Sequence, residues 1–267
     1  MKLQIKKYKE YANIFWQLLK TDLTVYTKDA FGDIIDTAIV FSSIILIVTY
    51  VYPSLGMDKS FGAFYAIGMI ASLSFFEIYS TVSSFISDLE GNKKISHSLT
   101  IPMPSFLVFI EIAIYHAIRK TFATSIILPL SKLILGSRIN LSQLSIVKFV
   151  LIFLTLHLAI GFLAIVMAST IARMSKMRQV FVRFLFPLWI FSGIEFPWHI
   201  LNNIYPRLGK LIFVNPLLYA MEGIRAATFG QGVYLSFWLC FCMLWFFIVL
   251  FGYVGVVRFK KRLDFVG

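Results

Sequence analysis

Glu77 stands in the apolar run SFFEIYS, and Glu111, His116, Arg119 and Lys120 crowd into FIEIAIYHAIRKTF. An ionisable side chain inside an apolar block is costly and is read first as functional. Glu111 and Arg119 lie about two helical turns apart, loosely on one side of a helix. Two chemistries fit such a set. One is a proton relay; the other is a salt-bridge network with side chains snorkelling toward the headgroups. The network is the favoured reading for Glu111, His116, Arg119 and Lys120, while Glu77, the deepest carboxylate, fits both. Asp36, at the end of an apolar block, is within reach of water.

A second set lies later in the chain. Glu222 and Arg225 are spaced i, i+3, which suits an ion pair on a helix, and Glu195 is expected to pair with Arg207 or Arg225. Substrate contact by these groups is the weaker reading. Ser192 and His199 lack acid–base partners at a useful spacing, so hydrolysis is disfavoured. Cys240 and Cys242, two apart, face different sides of a helix, and the four histidines show no ligand spacing. No metal site is expected. The chain holds no G-x-x-x-x-G-K-[ST], G-x-S-x-G, H-E-x-x-H or C-x-x-C motif, so it carries no phosphate-cradling loop of its own.

The elements that position these residues follow from composition. The chain is 59% hydrophobic and 14% charged, with a mean hydropathy of +0.82, far from the roughly 25% charged content of soluble domains. It reads as an integral membrane protein. The net charge of +12 does not indicate nucleic-acid binding, because the basic residues sit between apolar blocks. The expected fold is an all-α polytopic bundle of six transmembrane helices: Ile34–Pro53, Gly62–Ile86, Phe106–Leu135, Ser145–Ile171, Val180–Ile194 and Val233–Val257. Lys and Arg concentrate in residues 1–33, in 93–94, in 173–178 and in 258–262, which places both termini in the cytoplasm. No cleavable leader is read in residues 1–33. Residues 5–26 instead repeat Tyr8, Tyr11, Phe15, Leu18 and Leu19 at helical spacing between lysines, the pattern of a basic amphipathic helix in the headgroup plane.

Two connections are unusual. SDLEGNKKISHSLTIPMP (Ser87–Pro104) mixes charges with apolar residues on the cytoplasmic side, and Pro102 and Pro104 stop a helix there. It reads as a docking surface or as a solvated loop. Residues 195–232 carry Pro197, Pro206, Pro216, Gly209, Gly223, Gly230 and Gly232 between apolar pieces too short to span. Backbone at membrane depth needs protein around it or a cavity beside it, so this segment reads as a re-entrant rim or gate. Phe75, Phe76, Tyr79, Phe184, Phe186, Trp189 and Phe191 are candidates to line a path, although aromatics at helical spacing are more often core.

FSGIEFPW followed by NPLLYAMEGIRAATFG resembles the signature after span five of the type-2 ABC exporter permeases, the transmembrane subunits of drug, lipid, lipo-oligosaccharide and polysaccharide exporters. DLEGNKKISHSLTIPMPS and FWQLLKTDL resemble the family's cytoplasmic segment and interface helix, with Asn92 and Lys93 in place of its Gly-Thr. The resemblance covers nearly the whole chain as a single transmembrane domain. Its parts are an interfacial helix (1–33), spans one to five (34–194) with a coupling segment (87–104), an external re-entrant gate (195–232), span six (233–257) and a cytoplasmic tail (258–267). It implies a permease without chemistry of its own, paired with a second permease, as a homodimer, and served by two copies of an ATP-binding cassette ATPase that bind ATP and Mg2+. It also implies that Leu89, Glu90, Lys93, Lys94, Ile95, His97 and Leu99 form the ATPase-coupling helix. Glu195, Pro197, Asn215, Pro216, Glu222 and Arg225 shape the gate. The cargo is expected to be amphipathic (a lipid, a lipid-linked glycan or a drug) and to leave across the inner membrane. An ion-coupled transporter using Glu77 or the Glu111, His116, Arg119 cluster is the rival.

Overall fold

The computed structural model describes residues 2–87, 100–171 and 173–264. Thirteen α-helices fill these segments: α1 (Lys2–Tyr26), α2 (Ala30–Leu46), α3 (Phe61–Phe76), α4 (Ile78–Ser87), α5 (Ser105–Thr124), α6 (Ile127–Leu135), α7 (Ile146–Thr170), α8 (Met174–Val180), α9 (Phe186–Ile190), α10 (Trp198–Ile204), α11 (Pro206–Leu211), α12 (Pro216–Phe229) and α13 (Phe237–Asp264). The expected coupling residues Leu89, Glu90, Lys93, Lys94, Ile95, His97 and Leu99 lie outside the described residues.

Four continuous helical stretches are long and apolar enough to cross a membrane: Ala30–Leu55, Phe61–Ser87, Ile146–Thr170 and Phe237–Arg258. The stretches Phe106–Leu135 and Val180–Ile194, expected as two further crossings, hold the separate helices α5–α6 and α8–α9, none of which meets that length and apolarity. Proline explains the breaks. It cannot donate to the carbonyl four residues back, and its ring crowds that carbonyl. Pro129 frees the carbonyl of Ser125, where α5 gives way to α6. Pro187 frees that of Arg183, inside a wide π turn at Phe181–Leu185. Pro53 frees that of Thr49, inside a second π turn at Ile47–Val51. The Thr49 carbonyl is taken up by the Arg138 guanidinium at 2.6 Å, and that cation also lies over the Tyr50 ring at 4.4 Å. A break that leaves an orphan acceptor in an apolar setting is thus closed by a side chain from the α6–α7 connection.

α7 is the central post, packed against α13, α5, α12 and α4. Within the most apolar window of each stretch, 67% of α7 and of α3–α4 is buried, against 22% for the α2 stretch and 28% for α13. The latter two therefore keep one face toward lipid or another chain. Close approach depends on small residues, as in membrane bundles generally. A Cβ at Gly161 would sit 2.6 Å from the Ala113 carbonyl oxygen, so only glycine lets α7 touch the α5 backbone. Gly68 on α3 likewise leaves room for the Arg225 guanidinium.

Candidate functional site

The segment expected to be an external gate is α10, α11 and α12 with their connections. Pro197 precedes the first residue of α10, and Pro216 opens α12, a position where the missing N–H costs nothing. Asn215 caps α12 by accepting from Leu217 N–H at 3.0 Å and ties it to α9 by donating to the Leu188 carbonyl at 2.6 Å. Every residue from Pro216 to Thr228 is buried. α12 is therefore a polar-bearing helix enclosed by α3, α7 and α13.

Glu222 and Arg225 are fully buried, and here the structure departs from the expected i, i+3 ion pair. Each side chain bonds to backbone instead. Glu222 accepts from Trp198 N–H at 2.9 Å and from Leu235 N–H at 3.0 Å. Those N–H groups belong to the start of α10 and the approach to α13, where helices leave donors without internal partners and favour negative charge. Arg225 donates to the carbonyls of Phe64 (3.2 Å), Gly193 (2.6 Å) and Ile194 (3.1 Å) and lies 3.5 Å over the Phe64 ring. Gly193, at φ 85, adopts the left-handed backbone that glycine favours while presenting its carbonyl to Arg225. Spacing alone suggested that the two charges find each other. Helix-start donors and loop carbonyls, invisible to local spacing, satisfy them better. Glu195 is exposed and meets neither Arg207 nor Arg225. It lines a cleft of about 430 Å3 with Asp58, Arg138, Asn140 and Tyr234.

The intramembrane charges form a second centre. Lys120 pairs with Glu77, which stands at the break between α3 and α4 and also accepts from Ser80 Oγ at 3.2 Å. Arg119 grips Asp33 with both prongs, Nε to Oδ2 at 2.8 Å and Nη2 to Oδ1 at 3.1 Å, a geometry suited to guanidinium and carboxylate. Sequence reasoning missed Asp33, whose only signal is its place in the first turn of a helix. Glu111, buried on α5, is not the carboxylate that holds Arg119, and His116 packs against Phe85 and Tyr115. The expected cluster is thus split. Tyr26 on α1 joins the Arg119 end, donating to the Arg119 carbonyl at 3.3 Å. Burial, reinforced by the Asp33 charge, pushes its hydroxyl up to about 12, so it stays a donor at neutral pH. Both pairs face a cleft of about 480 Å3 that also presents Asp36, Thr37, Phe76 and Tyr79.

His157 is a further buried polar group that sequence spacing left unassigned. Its Nδ1 faces the Phe153 carbonyl, and its Nε2 lies 2.8 Å from Ser74 Oγ and 2.9 Å from Thr124 Oγ1. A carbonyl only accepts, so Nδ1 donates to it, while Nε2 meets both hydroxyls. The imidazole thereby knits α3, α5 and α7. Among the aromatics, Phe75 is core, whereas Phe76, Tyr79, Phe186 and Trp189 form a chain of ring contacts through Phe181. Phe184 and Phe191 are exposed. No group of three or more metal-ligating side chains occurs among the described residues.

Comparison with known families closes the identification. The family model described as ABC-2 type transporter matches residues 13–229, from within α1 to the end of α12. No curated protein sequence matches the chain. The matched region is a transmembrane permease without an ATP-binding cassette, and the family implies an ABC ATPase as its partner. With most of its length inside that match and an all-helical, multi-pass bundle around it, the chain belongs to the ABC-2 type transporter family, as a permease component.

Proposed function

We propose that the chain is the permease half of an ATP-driven exporter that carries an amphipathic cargo outward across the inner membrane. The observation that carries this reading is the enclosed helix α12, fastened by Glu222 and Arg225 on one side of a bundle whose other polar centre is an open, charged cleft. A bundle with a tethered polar helix at one place and an open charged cleft at another suits stepwise passage of cargo with a polar head and an apolar body. Two copies, as a homodimer, would enclose the path, both termini would lie in the cytoplasm, and two ATPase subunits would bind ATP and Mg2+ beneath. Residues 87–104, with Leu89, Glu90, Lys93, Lys94, Ile95, His97 and Leu99, are the proposed contact with the ATPase, and Glu195, Pro197, Asn215, Pro216, Glu222 and Arg225 shape the external gate. The lipid, lipid-linked glycan and drug classes all fit the cleft's mixture of charge and aromatic surface.

One observation favours the rival ion-coupled reading. Glu77 sits at a helix break, half-exposed to the cleft. Its pairing with Lys120 argues the other way, since the carboxylate already has a matched cation. Purification of the tagged chain from its native membranes, followed by ATP hydrolysis and transport assays in lipid discs, separates the two. The exporter reading expects an ATPase to co-purify in equal amount and to be weakened by Glu90→Arg or Leu99→Glu. A chain that purifies alone and transports along a proton gradient without ATP overturns it.

A further inference from the structure

We propose that the wedge between α1 and α5 is a binding site for an anionic phospholipid of the leaflet in which α1 lies. α1 is fixed to the bundle near its C-terminal end. There Tyr26 donates to the Arg119 carbonyl, meets the Tyr115 ring edge-on at 6.5 Å and is covered by the Arg119 guanidinium at 5.5 Å. Toward its N-terminus a groove of about 710 Å3 separates α1 from α5. Its walls are Tyr11, Ala12 and Phe15 on one side and Phe106, Leu107 and Ile110 on the other. This volume falls in the range of roughly 300–1,000 Å3 that encloses drug-sized ligands.

The occupant follows from the walls and the mouth. The walls are apolar, so the body of the ligand is an acyl chain. Tyr8 and Trp16 are exposed on α1, 70% and 63%, and these residue types settle at the level of lipid headgroups. The mouth therefore opens at the depth where a phospholipid changes from tail to phosphate. Lys7 stands at that mouth, its ammonium 5.8 Å from the Tyr11 ring centre, with Lys9 exposed on the same turn. Through Tyr26 the helix carries lysines 2, 6, 7, 9 and 20 against only Glu10 and Asp22, and such a segment is drawn to anionic lipid. The phosphate lies against Lys7, the chain fills the wedge, and the angle at which α1 leaves the bundle depends on the lipid being there. The proposal rests on the interfacial placement of α1 that accompanies the exporter reading.

The test uses the full chain with its co-purified ATPase, reconstituted in discs of phosphatidylcholine and phosphatidylglycerol in equal amounts, with retained lipid read by native mass spectrometry. The wild type is expected to keep phosphatidylglycerol over phosphatidylcholine by at least about fivefold, the advantage conferred by one lysine near an anionic surface. Lys7→Gln is expected to bring the ratio close to one while lipid is still retained. Ala12→Trp fills the groove from α1 and Leu107→Trp from α5, so misfolding of one leaves the other to decide; both are expected to expel the lipid. Equal retention of the two lipids by the wild type overturns the proposal, as does unchanged retention by both tryptophan variants. A groove that holds no lipid in this complex and gains it once the ATPase is stripped off belongs to that protein instead and overturns the proposal as well. Protease access to an N-terminal tag in sealed vesicles separates the two levels. A tag on the face opposite the ATPase sinks the placement of α1, whereas a correctly placed tag with unselective retention sinks only the lipid site.

Discussion

Replacing Glu222 by glutamine changes one oxygen for an NH2 group and removes a charge, with almost no change in volume. The carboxylate holds two N–H donors at 2.9 and 3.0 Å in a fully buried position. An amide has a single acceptor oxygen, so whichever way it turns, either Trp198 or Leu235 faces another donor. Leaving one buried N–H unsatisfied costs about 1–3 kcal/mol. The variant also strips the buried Arg225 of the carboxylate one turn away, and removing a compensating charge adds to that loss. The sum is about 3 kcal/mol, roughly a 150-fold shift toward the opened hairpin. Hydrogen–deuterium exchange in lipid discs reads this directly, because the amides of Trp198 and Leu235 are the ones released. Their protection is expected to fall about 100-fold, with the centre of α7 unchanged. Glu195→Gln, on an exposed side chain, is the control and is expected to stay within about 0.5 kcal/mol. The double variant Glu222→Gln/Arg225→Met should lose about 1–2 kcal/mol less than the two single losses combined. Unchanged exchange at Trp198 and Leu235, or equal effects of Glu222→Gln and Glu195→Gln, refutes the reasoning.

Gly68→Val is expected to cost about 1–3 kcal/mol through overpacking, because its side chain displaces the Arg225 guanidinium and Ile194; thermal unfolding in discs measures it, and a neutral result would mean that α3 and α12 separate freely. Arg119→Lys keeps the charge but loses the two-pronged grip on Asp33, so α1 should become more accessible to protease while the rest of the bundle holds, at a cost of about 1 kcal/mol for this partly exposed pair. Lys120→Met, which strands the Glu77 carboxylate, should destabilise the fold more than Lys120→Met/Glu77→Leu does, and folded yield on gel filtration gives the order. The Tyr26 hydroxyl titrates above its ordinary 10.0, near 12. The docked state therefore holds its proton longer, and the stability this gives α1 is complete below about pH 10 and lost as pH rises to about 12; Tyr26→Phe should abolish that alkaline step in the release of α1, followed by proteolysis.

The blocks that became α2, α3–α4, α7 and α13 were legible because length and hydropathy are summed over many residues, and no single contact decides them. The breaks were half legible. Pro53, Pro129 and Pro187 announce a disruption in any helix, but the freed carbonyl lies one turn earlier, and what then receives it is a tertiary matter, as Arg138 on Thr49 illustrates. The partners of the charges were not legible. Arg119 had Glu111 near it in sequence and took Asp33, because α2 brings that carboxylate against α5. His157 lacked any local pattern, yet three helices converge on it with hydroxyls supplied by Ser74 and Thr124. The breakers located the segment that became α10–α12, while the bonding of Glu222 and Arg225 was misread, since i, i+3 spacing describes an isolated helix and α12 is enclosed.

The bonding of α12 constrains how an exit at this place opens. Five hydrogen bonds from two buried charged side chains join it to α3, to the turn after α9, to the start of α10 and to the approach to α13. At about 1.5–3 kcal/mol for each bond to a charged group, sliding α12 alone out of its socket costs on the order of 10 kcal/mol. That is a large fraction of what holds a whole domain together. The cleft at Glu77 is built differently, with its Asp33–Arg119 pair partly exposed and two helix breaks nearby, at Glu77 and at Ser125–Ile126. Under the exporter reading, the hairpin therefore travels as one piece with the start of α3 and the ends of α9, α10 and α13, hinging at the proline-marked π turns of the α2 and α8–α9 stretches rather than unlatching at Glu222 or Arg225. The charges in the gate then serve to keep that piece rigid, and the motion belongs to the broken helices beneath it.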